Sequence, residues 1–373
     1  MDLSVFEDDF QSGLFWRDGG CEISRLRSGF TTGACAAAAA KAAVRFLLEG
    51  IVLREVGITL PEGGRAVMPL VYVRGNQGAA EAAIRKDAGD DPDITHGALV
   101  VVNLSPAPGG DIFFAAGEGV GKVTKPGLSV APGEPAINPV PRQMIIGAIR
   151  EATAQGMIVT VSIPGGKKMA GKTFNPRLGI MGGLSVLGTT GIVRPFSISA
   201  LRASLQCSLD VAAACGIRTP VFVPGNIGRR AAEHNFRLRE GQIIEAGNEW
   251  GFVMDVAAGL DFREILVVGH PGKLVKLADG YWDTHSLRSE SAVAAVARRA
   301  EALFGKTFSG QVTTEGIFAS LGTPEAQKLG TILAGEVRKA LAAKTGGRFE
   351  TATALTDMRG RILGTSGDLA PWQ

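Results

Sequence analysis

The chain has 373 residues, enough for two hydrophobic cores with roughly three-quarters of the unfolded surface buried. Its 39 basic and 36 acidic residues leave a net charge of +3 and no basic run, which excludes a nucleic-acid binder while leaving room for local basic pockets. No apolar run reaches the ~18 residues of a membrane span, and the start MDLSVFEDDF is acidic where a secretory leader is basic, so the expectation is a cytoplasmic protein without a membrane partner.

Residues 1–25 show no hydrophobic period and read as an extension. The fold is expected to begin near Leu26, with an α+β domain over 26–195 and an α/β domain over 196–373. In RSGFTTGACAAAAAKAAVRFLLEG, Thr31 and Thr32 precede an Ala-rich helix in which Ala36, Ala40, Val44 and Leu47 recur at helical spacing and Gly50 is the stop. Its first turn is either an anion site with Thr hydroxyls beside free N–H groups or a plain N-cap.

Residues 51–115 alternate as four strands, IVLREVGITL, AVMPLVYVRG, GALVVVNL and DIFFAAG, which predicts a mixed or antiparallel sheet. Between the second and third lies the acidic cluster Asp87, Asp90, Asp91, Asp93 with His96. Such a cluster can hold a hydrated divalent ion, handle protons, or simply cap its own turns. Residues 117–142 form a long Gly/Pro segment of the kind that is usually functional. A phosphate-binding P-loop at Gly121 and Lys122 fails, because Ala116 stands where the first glycine belongs and Val123 where Ser or Thr should follow. A helix from Pro139 to Ala154 and the strand MIVTVSI come next.

Thr173 to Pro195, TFNPRLGIMGGLSVLGTTGIVRP, is the most unusual stretch. Its glycines suit backbone that lets a ligand approach, its Thr189 and Thr190 offer hydroxyls, and Arg177 and Arg194 supply charge suited to carboxylate or phosphate; a buried Gly-rich connection is the alternative. After a helix from Ser197 to Cys215 come three strand-loop-helix units, TPVFVPGNIGRRAAEHN, QIIEAGNEWGFVMDVAAGL and EILVVGHPGKLVKLADG. They predict a doubly wound parallel sheet with ligand loops at the carboxyl ends of its strands. Glu245 follows Gly225 by about 20 residues, the relation that puts an acid on ribose hydroxyls, although PGNIG is not the full glycine fingerprint. His270 is either a donor to a ligand oxygen or a turn histidine, and His285 in DTHS reads as a polar substrate contact rather than part of a triad. Two Ala-rich helices then flank QVTTEG, and TATALTDMRGRILGTSG reads as a last strand or hairpin before a loose tail. Cys21, Cys35, Cys207 and Cys215 form no CxxC pair, so reduced thiols and no zinc site are expected.

Several strings together resemble the CbiD family of cobalt-precorrin-5B C(1)-methyltransferases: RSGFTTGACAAAAAKAA, IRKDAGDDPDITHG, GEGVGKVTKPGL with PGEPAINPVPRQM, the 173–195 stretch, and VVGHPGKLVKLADG with DTHS. Phe30 departs from the family's usual Tyr, and SLRSES after His285 departs from an expected Ala-Asp pair. The resemblance implies methyl transfer from S-adenosylmethionine to C-1 of cobalt-precorrin-5B, giving cobalt-precorrin-6A, in anaerobic cobalamin biosynthesis. The cobalt is then carried by the tetrapyrrole substrate.

On that implication the ring carboxylates would meet Thr31, Thr32, Lys125, Arg142, Arg177, Thr189 and Thr190, with His285 as a further contact. S-adenosylmethionine would lie near Gly225, Asn226, Glu245, Gly269 and His270, and Asp90 or His96 would take up a proton. A nucleotide-dependent enzyme such as a phosphotransferase would use the same C-terminal loops, and a non-catalytic tetrapyrrole carrier would ignore S-adenosylmethionine. A homo-oligomer, or transient contact with neighbouring pathway enzymes, is compatible with the sequence.

Overall fold

The computed structural model describes residues 26–76, 78–308 and 310–373, so the expected extension 1–25, with Cys21, lies outside the described residues. The chain divides into two compact units, with the division between Ser197 and Ile198.

The first unit opens on β1 (Gly29–Phe30) and the Ala-rich α1 (Thr32–Glu49). Thr31 caps the helix by accepting from the Ala34 amide, and Gly50 ends it in the left-handed region. Ala34 to Ala40 are all buried, which only a helix of methyl side chains packed on several sides allows. Four strands follow, β2 (Glu55–Thr59), β3 (Arg65–Gly75), β4 (Ala80–Arg85) and β5 (Leu99–Ala107). Then come β6 (Ile112–Ala116), β7 (Lys122–Val123), α2 (Pro139–Arg150), β8 (Gly156–Ser162), α3 (Gly166–Ala170), β9 (Ile180–Met181) and β10 (Ile192–Val193).

Six of these strands form one mixed sheet in the order β2-β3-β4-β5-β8-β6, antiparallel except for β6 against β8. The apolar sides of α1, α2 and the sheet share a single core. β4 is a strand beyond the four expected over residues 51–115, lying between the second and the third of them. Ala and Glu carry little strand propensity, and it is the ladder to β3 and β5 that makes this segment a strand. The two-residue strands β1, β7, β9 and β10 pair as β1 with β10 and β7 with β9, and so tie together segments that read as loops.

The second unit runs α4 (Ile198–Ala214), β11 (Val221–Val223), α5 (Asn226–Asn235), β12 (Ile243–Glu245), α6 (Trp250–Ala258), β13 (Glu264–Gly269) and α7 (Pro271–Ala278). It ends with α8 (Ala292–Phe304), α9 (Thr314–Ala319), α10 (Thr323–Lys344), β14 (Glu350–Thr356) and β15 (Ile362–Ser366). Its sheet has the order β12-β11-β13-β14-β15, parallel up to β14 with an antiparallel edge strand β15. The chain leaves β11 for β12 on one side and then crosses to β13 on the other. Right-handed crossovers therefore put α5 on one face and α6 on the opposite one, and two separate cores result. Thr313 caps α9 inside the QVTTEG segment, so three helices stand where two were expected. The expected loose tail is also corrected: Trp372 is 1% exposed, packs on the α5 face, and donates its indole N–H to the Thr219 carbonyl.

Candidate functional site

In the first unit the Gly/Pro segment 117–138 and the stretch 173–195 are laced together by backbone hydrogen bonds. Gly121 donates to Leu184, Leu184 to Gly119, Val186 to Ala136 and Asn138 to Val186, at 2.8–3.0 Å. The same stretch reaches the start of α1, where Gly33 donates to Leu187 and Thr31 to Gly191, each at 3.0 Å. Gly188 lies against the Thr31 side chain, and a Cβ there would come within 2.3 Å of the Thr31 hydroxyl, at a φ of +131° that side chains rarely adopt. The Gly-rich stretch is thus a ribbon moulded onto the first turn of α1.

That moulding decides what the predicted contacts do. Thr31 and Thr32 are buried; Thr31 is the N-cap, and the Thr32 hydroxyl accepts from the Leu187 N–H and donates to its carbonyl. Both belong to the frame that holds the ribbon on the helix. The Arg142 guanidinium donates to the carbonyls of Ile137 and Pro135 and to Glu134, and stacks over Phe114 at 5.3 Å. It clamps the loop. Thr190 bonds both the N–H and the carbonyl of Ile192, while Thr189 is exposed. Lys125 and Arg177 are brought together, the Lys125 ammonium lying 3.5 Å from the Arg177 carbonyl and the Arg177 guanidinium over Phe174. Arg194 is exposed near the end of the same ribbon.

The acidic turn adjoins this ribbon through β1, because Phe30 donates to the Asp87 carbonyl while β1 pairs with β10. Asp87 and Arg27 form a two-bond ion pair, and the guanidinium holds the Asp87 carboxyl down to about 2. Asp90 is exposed and accepts the Arg27 N–H, and His96 is exposed with Nδ1 accepting from Ala88. The sequence reading did not single out Lys86, an almost fully buried ammonium 2.6 Å from Asp93. Burial alone would raise the Asp93 carboxyl, and Lys86 with Thr95 outweighs it. Asp91 is buried, its carboxyl raised by desolvation, and it accepts the N–H of Phe196, which sits at a φ of +54°. Among the described residues no group of three or more His, Cys, Asp or Glu is arranged to hold a metal ion. A separate cavity of about 310 Å³ lies between Leu60, just after β2, and Gln143 and Met144 on α2 with Glu151 just beyond it, and none of the predicted contacts line it.

In the second unit the carboxyl ends of β11, β12 and β13 carry the loops PGNIG, AGNEWG and GHPGK. Gly225 precedes the first turn of α5, which begins at Asn226, and His270 caps α7 by accepting the Gly272 N–H on Nδ1. The His270 proton therefore sits on Nε2, 3.1 Å from Glu315. Gly269 lies under Pro224, where a Cβ would come within 2.8 Å of the ring, so the two loops close tightly at the point where the strand order reverses. Glu245 ends β12 in register with Val223; its side chain is 5% exposed and ion-paired with Arg229. His285 lies in a turn capped by Asp283, with Nδ1 accepting from Leu287, and burial beside Arg288 lowers its pKa. Asn248, Lys273, Lys276 and Thr284, which gather beside it, were not singled out by the sequence reading. The signal for Asn248 is the loop AGNEWG at a strand end, and for Lys273 the loop GHPGK. Burial pushes the Cys35 thiol up to about 12 and raises that of Cys207, so neither is an activated nucleophile.

The fold is that of a two-unit protein of mixed α/β architecture whose Gly-rich loops bear Thr, Lys and Arg. The family model CbiD matches residues 21–195. A curated relative from Syntrophotalea carbinolica, named cobalt-precorrin-5B C(1)-methyltransferase, is 51% identical over 351 residues, covering 94% of this chain and 100% of its own. Relatives of the same name from a Thermoanaerobacter species and from Moorella thermoacetica are 46% and 48% identical, each over 71% of this chain and 73% and 72% of their own. A solved structure titled cobalamin biosynthesis protein (cbiD) from Archaeoglobus fulgidus is 28% identical and covers 69% of this chain and 82% of its own, at a TM-score of 0.38, a superposition too loose to bear on the fold. The chain belongs to the CbiD family. No helix among the described residues is long and apolar enough to cross a membrane.

Proposed function

We propose that the protein is a methyltransferase that moves the methyl group of S-adenosylmethionine to C-1 of cobalt-precorrin-5B. The observation that carries this is 51% identity, over 94% of the chain, to a relative bearing that name. Bound S-adenosylmethionine supplies an electrophilic methyl on a positive sulfur. The ring carbon then provides the electron pair, the methyl–sulfur bond breaks, and S-adenosylhomocysteine leaves, so the protein needs no nucleophile of its own. Its task is alignment and exclusion of water. Cobalt belongs to the substrate.

The reading assigns the methyl donor to the carboxyl edge of the parallel sheet. The turns at Gly225 and Gly269 open beside the N-termini of α5 and α7, Asn226 and His270 stand at the helix starts, and the Glu245 carboxylate ends the neighbouring strand where a ribose acceptor would be needed. The ring carboxylates are assigned to Lys125, Arg177, Thr189 and Thr190 on the Gly-rich ribbon, with Thr31, Thr32 and Arg142 holding the ribbon in shape. Asp90 and His96, both exposed on the adjoining turn, are the groups assigned to any proton released. The protein is expected to act in the cytoplasm.

Anaerobic incubation with cobalt-precorrin-5B and methyl-labelled S-adenosylmethionine tests the reading by mass spectrometry. One label at C-1 with equimolar S-adenosylhomocysteine is the expected result. Tight ring binding without label would instead make the protein a carrier.

A further inference from the structure

His270 follows directly on β13, and both of its ring nitrogens are engaged. Nδ1 accepts the Gly272 N–H at 3.1 Å and so caps α7, while Nε2 lies 3.1 Å from Oε2 of Glu315, 45 residues further along the chain. An imidazole that accepts on one nitrogen donates from the other, so the carboxylate receives this bond and the imidazole carries no charge. The pair keeps the single negative charge of Glu315. That charge, rather than the histidine, is what remains here to meet a ligand.

Glu315 is held from two sides. It lies in the first turn of α9, where Thr313 accepts the Gly316 N–H at 3.0 Å and where Ile317 and Phe318 are buried in the same core as Leu274 and Val275 of α7. A Cβ at Gly272 would come within 3.1 Å of the Thr314 hydroxyl, so the first turn of α9 rests on the first turn of α7. With its backbone pinned and Oε2 on His270, the Glu315 side chain has few rotamers left, yet it is 40% exposed. Oε1 is left without a protein donor among the described residues.

The place suits a ligand. β13 and β12 flank β11, at whose carboxyl end the strand order reverses. Neighbouring strands lie about 4.8 Å apart, so the carboxyl ends of β12 and β13 are separated by roughly 10 Å. Glu245 ends β12, and its ion pair with Arg229 offsets its charge and suits it to neutral hydroxyls. Glu315, beyond the end of β13, meets a neutral donor and keeps its charge, which suits it to a cation. A methyl donor whose ribose meets Glu245 and whose amino-acid arm extends along this edge brings its α-ammonium group toward Glu315.

We infer that Glu315, oriented by His270, receives the α-ammonium group of the methyl donor. This rests on the reading that S-adenosylmethionine binds the carboxyl edge of the parallel sheet. Glu315 is then a binding residue, and His270 a positioning residue that acts through it.

Calorimetry on the full chain measures affinities for S-adenosylhomocysteine and for its analogue lacking the amino group, in wild type, Glu315→Gln and His270→Asn, with melting temperatures alongside. Gln keeps an oxygen for the His270 N–H, and Asn keeps an acceptor for the Gly272 N–H, so both variants are expected to fold. Wild type is expected to prefer S-adenosylhomocysteine over the analogue by on the order of 10-fold or more. Glu315→Gln then loses that preference without weakening the analogue, and His270→Asn, which releases the carboxylate from its anchor, shows an intermediate preference. A merely structural pair would move the melting temperature alone, so an intact preference in folded Glu315→Gln overturns the inference. So does a wild type that binds both ligands alike. Equal weakening of both ligands in Glu315→Gln overturns it as well, because Glu315 then meets a part of the donor that the two share. A wild-type protein that binds no S-adenosylhomocysteine overturns the methyl-donor reading and the inference with it.

Discussion

Thr32→Val replaces a buried hydroxyl with a methyl of nearly the same size, so its effect isolates hydrogen bonding from packing. The hydroxyl accepts the Leu187 N–H at 3.0 Å and donates to the Leu187 carbonyl at 3.3 Å, a long contact for a hydroxyl donor. That carbonyl keeps its bond from Gly33, so the N–H is the group left stranded. Because the Leu187 side chain is exposed, water reaches one side of the ribbon, and the loss falls at about 1–2 kcal/mol. For a unit of this size that corresponds to a melting-temperature drop of roughly 2–8 °C, with Thr32→Ser as the control that keeps the hydroxyl. The loosened ribbon carries Thr189 and Thr190, so the Michaelis constant for the tetrapyrrole should rise several-fold while that for S-adenosylmethionine stays unchanged. A Thr32→Val protein with unaltered melting and an unaltered Michaelis constant would refute the claim that this hydroxyl holds the ribbon.

Three further outcomes are expected. Asp93→Asn strands the buried Lys86 ammonium and should cost about 3–5 kcal/mol in denaturant unfolding, whereas Asp91→Asn keeps an acceptor for Phe196 and removes a charge that burial opposes, so it should leave stability equal or higher at pH 7. Asp87 titrates near 2 when folded, below its unfolded value, so its contribution is present above about pH 4 and is lost as pH falls toward 2; Asp87→Asn should flatten that part of an acid-unfolding profile. Glu245→Gln should weaken S-adenosylmethionine binding and also lower melting, since Arg229 loses its buried partner; unchanged affinity would remove Glu245 from the donor site.

The sequence by itself determined the elements whose cause is local. Methyl side chains with a Thr cap and a Gly stop make α1 a helix wherever it packs, and three aliphatic strand-loop-helix units could only become a parallel sheet with its loops at one edge. Its unusual strings also carried the family. Only the tertiary structure decided what depends on partners distant along the chain. AEAAIR becomes β4 because β3 and β5 flank it, and Trp372 is anchored because Thr219 and the α5 face await it. The same physics separates frame from contact. Thr32 and Arg142 have the chemistry of anion ligands, and folding alone decides that the hydroxyl and the guanidinium meet backbone carbonyls of the loops they hold. The Lys273–Asn248 bond depends on folding in the same way, since 25 residues separate the two and only the crossover from β12 to β13 puts the ammonium onto the amide oxygen.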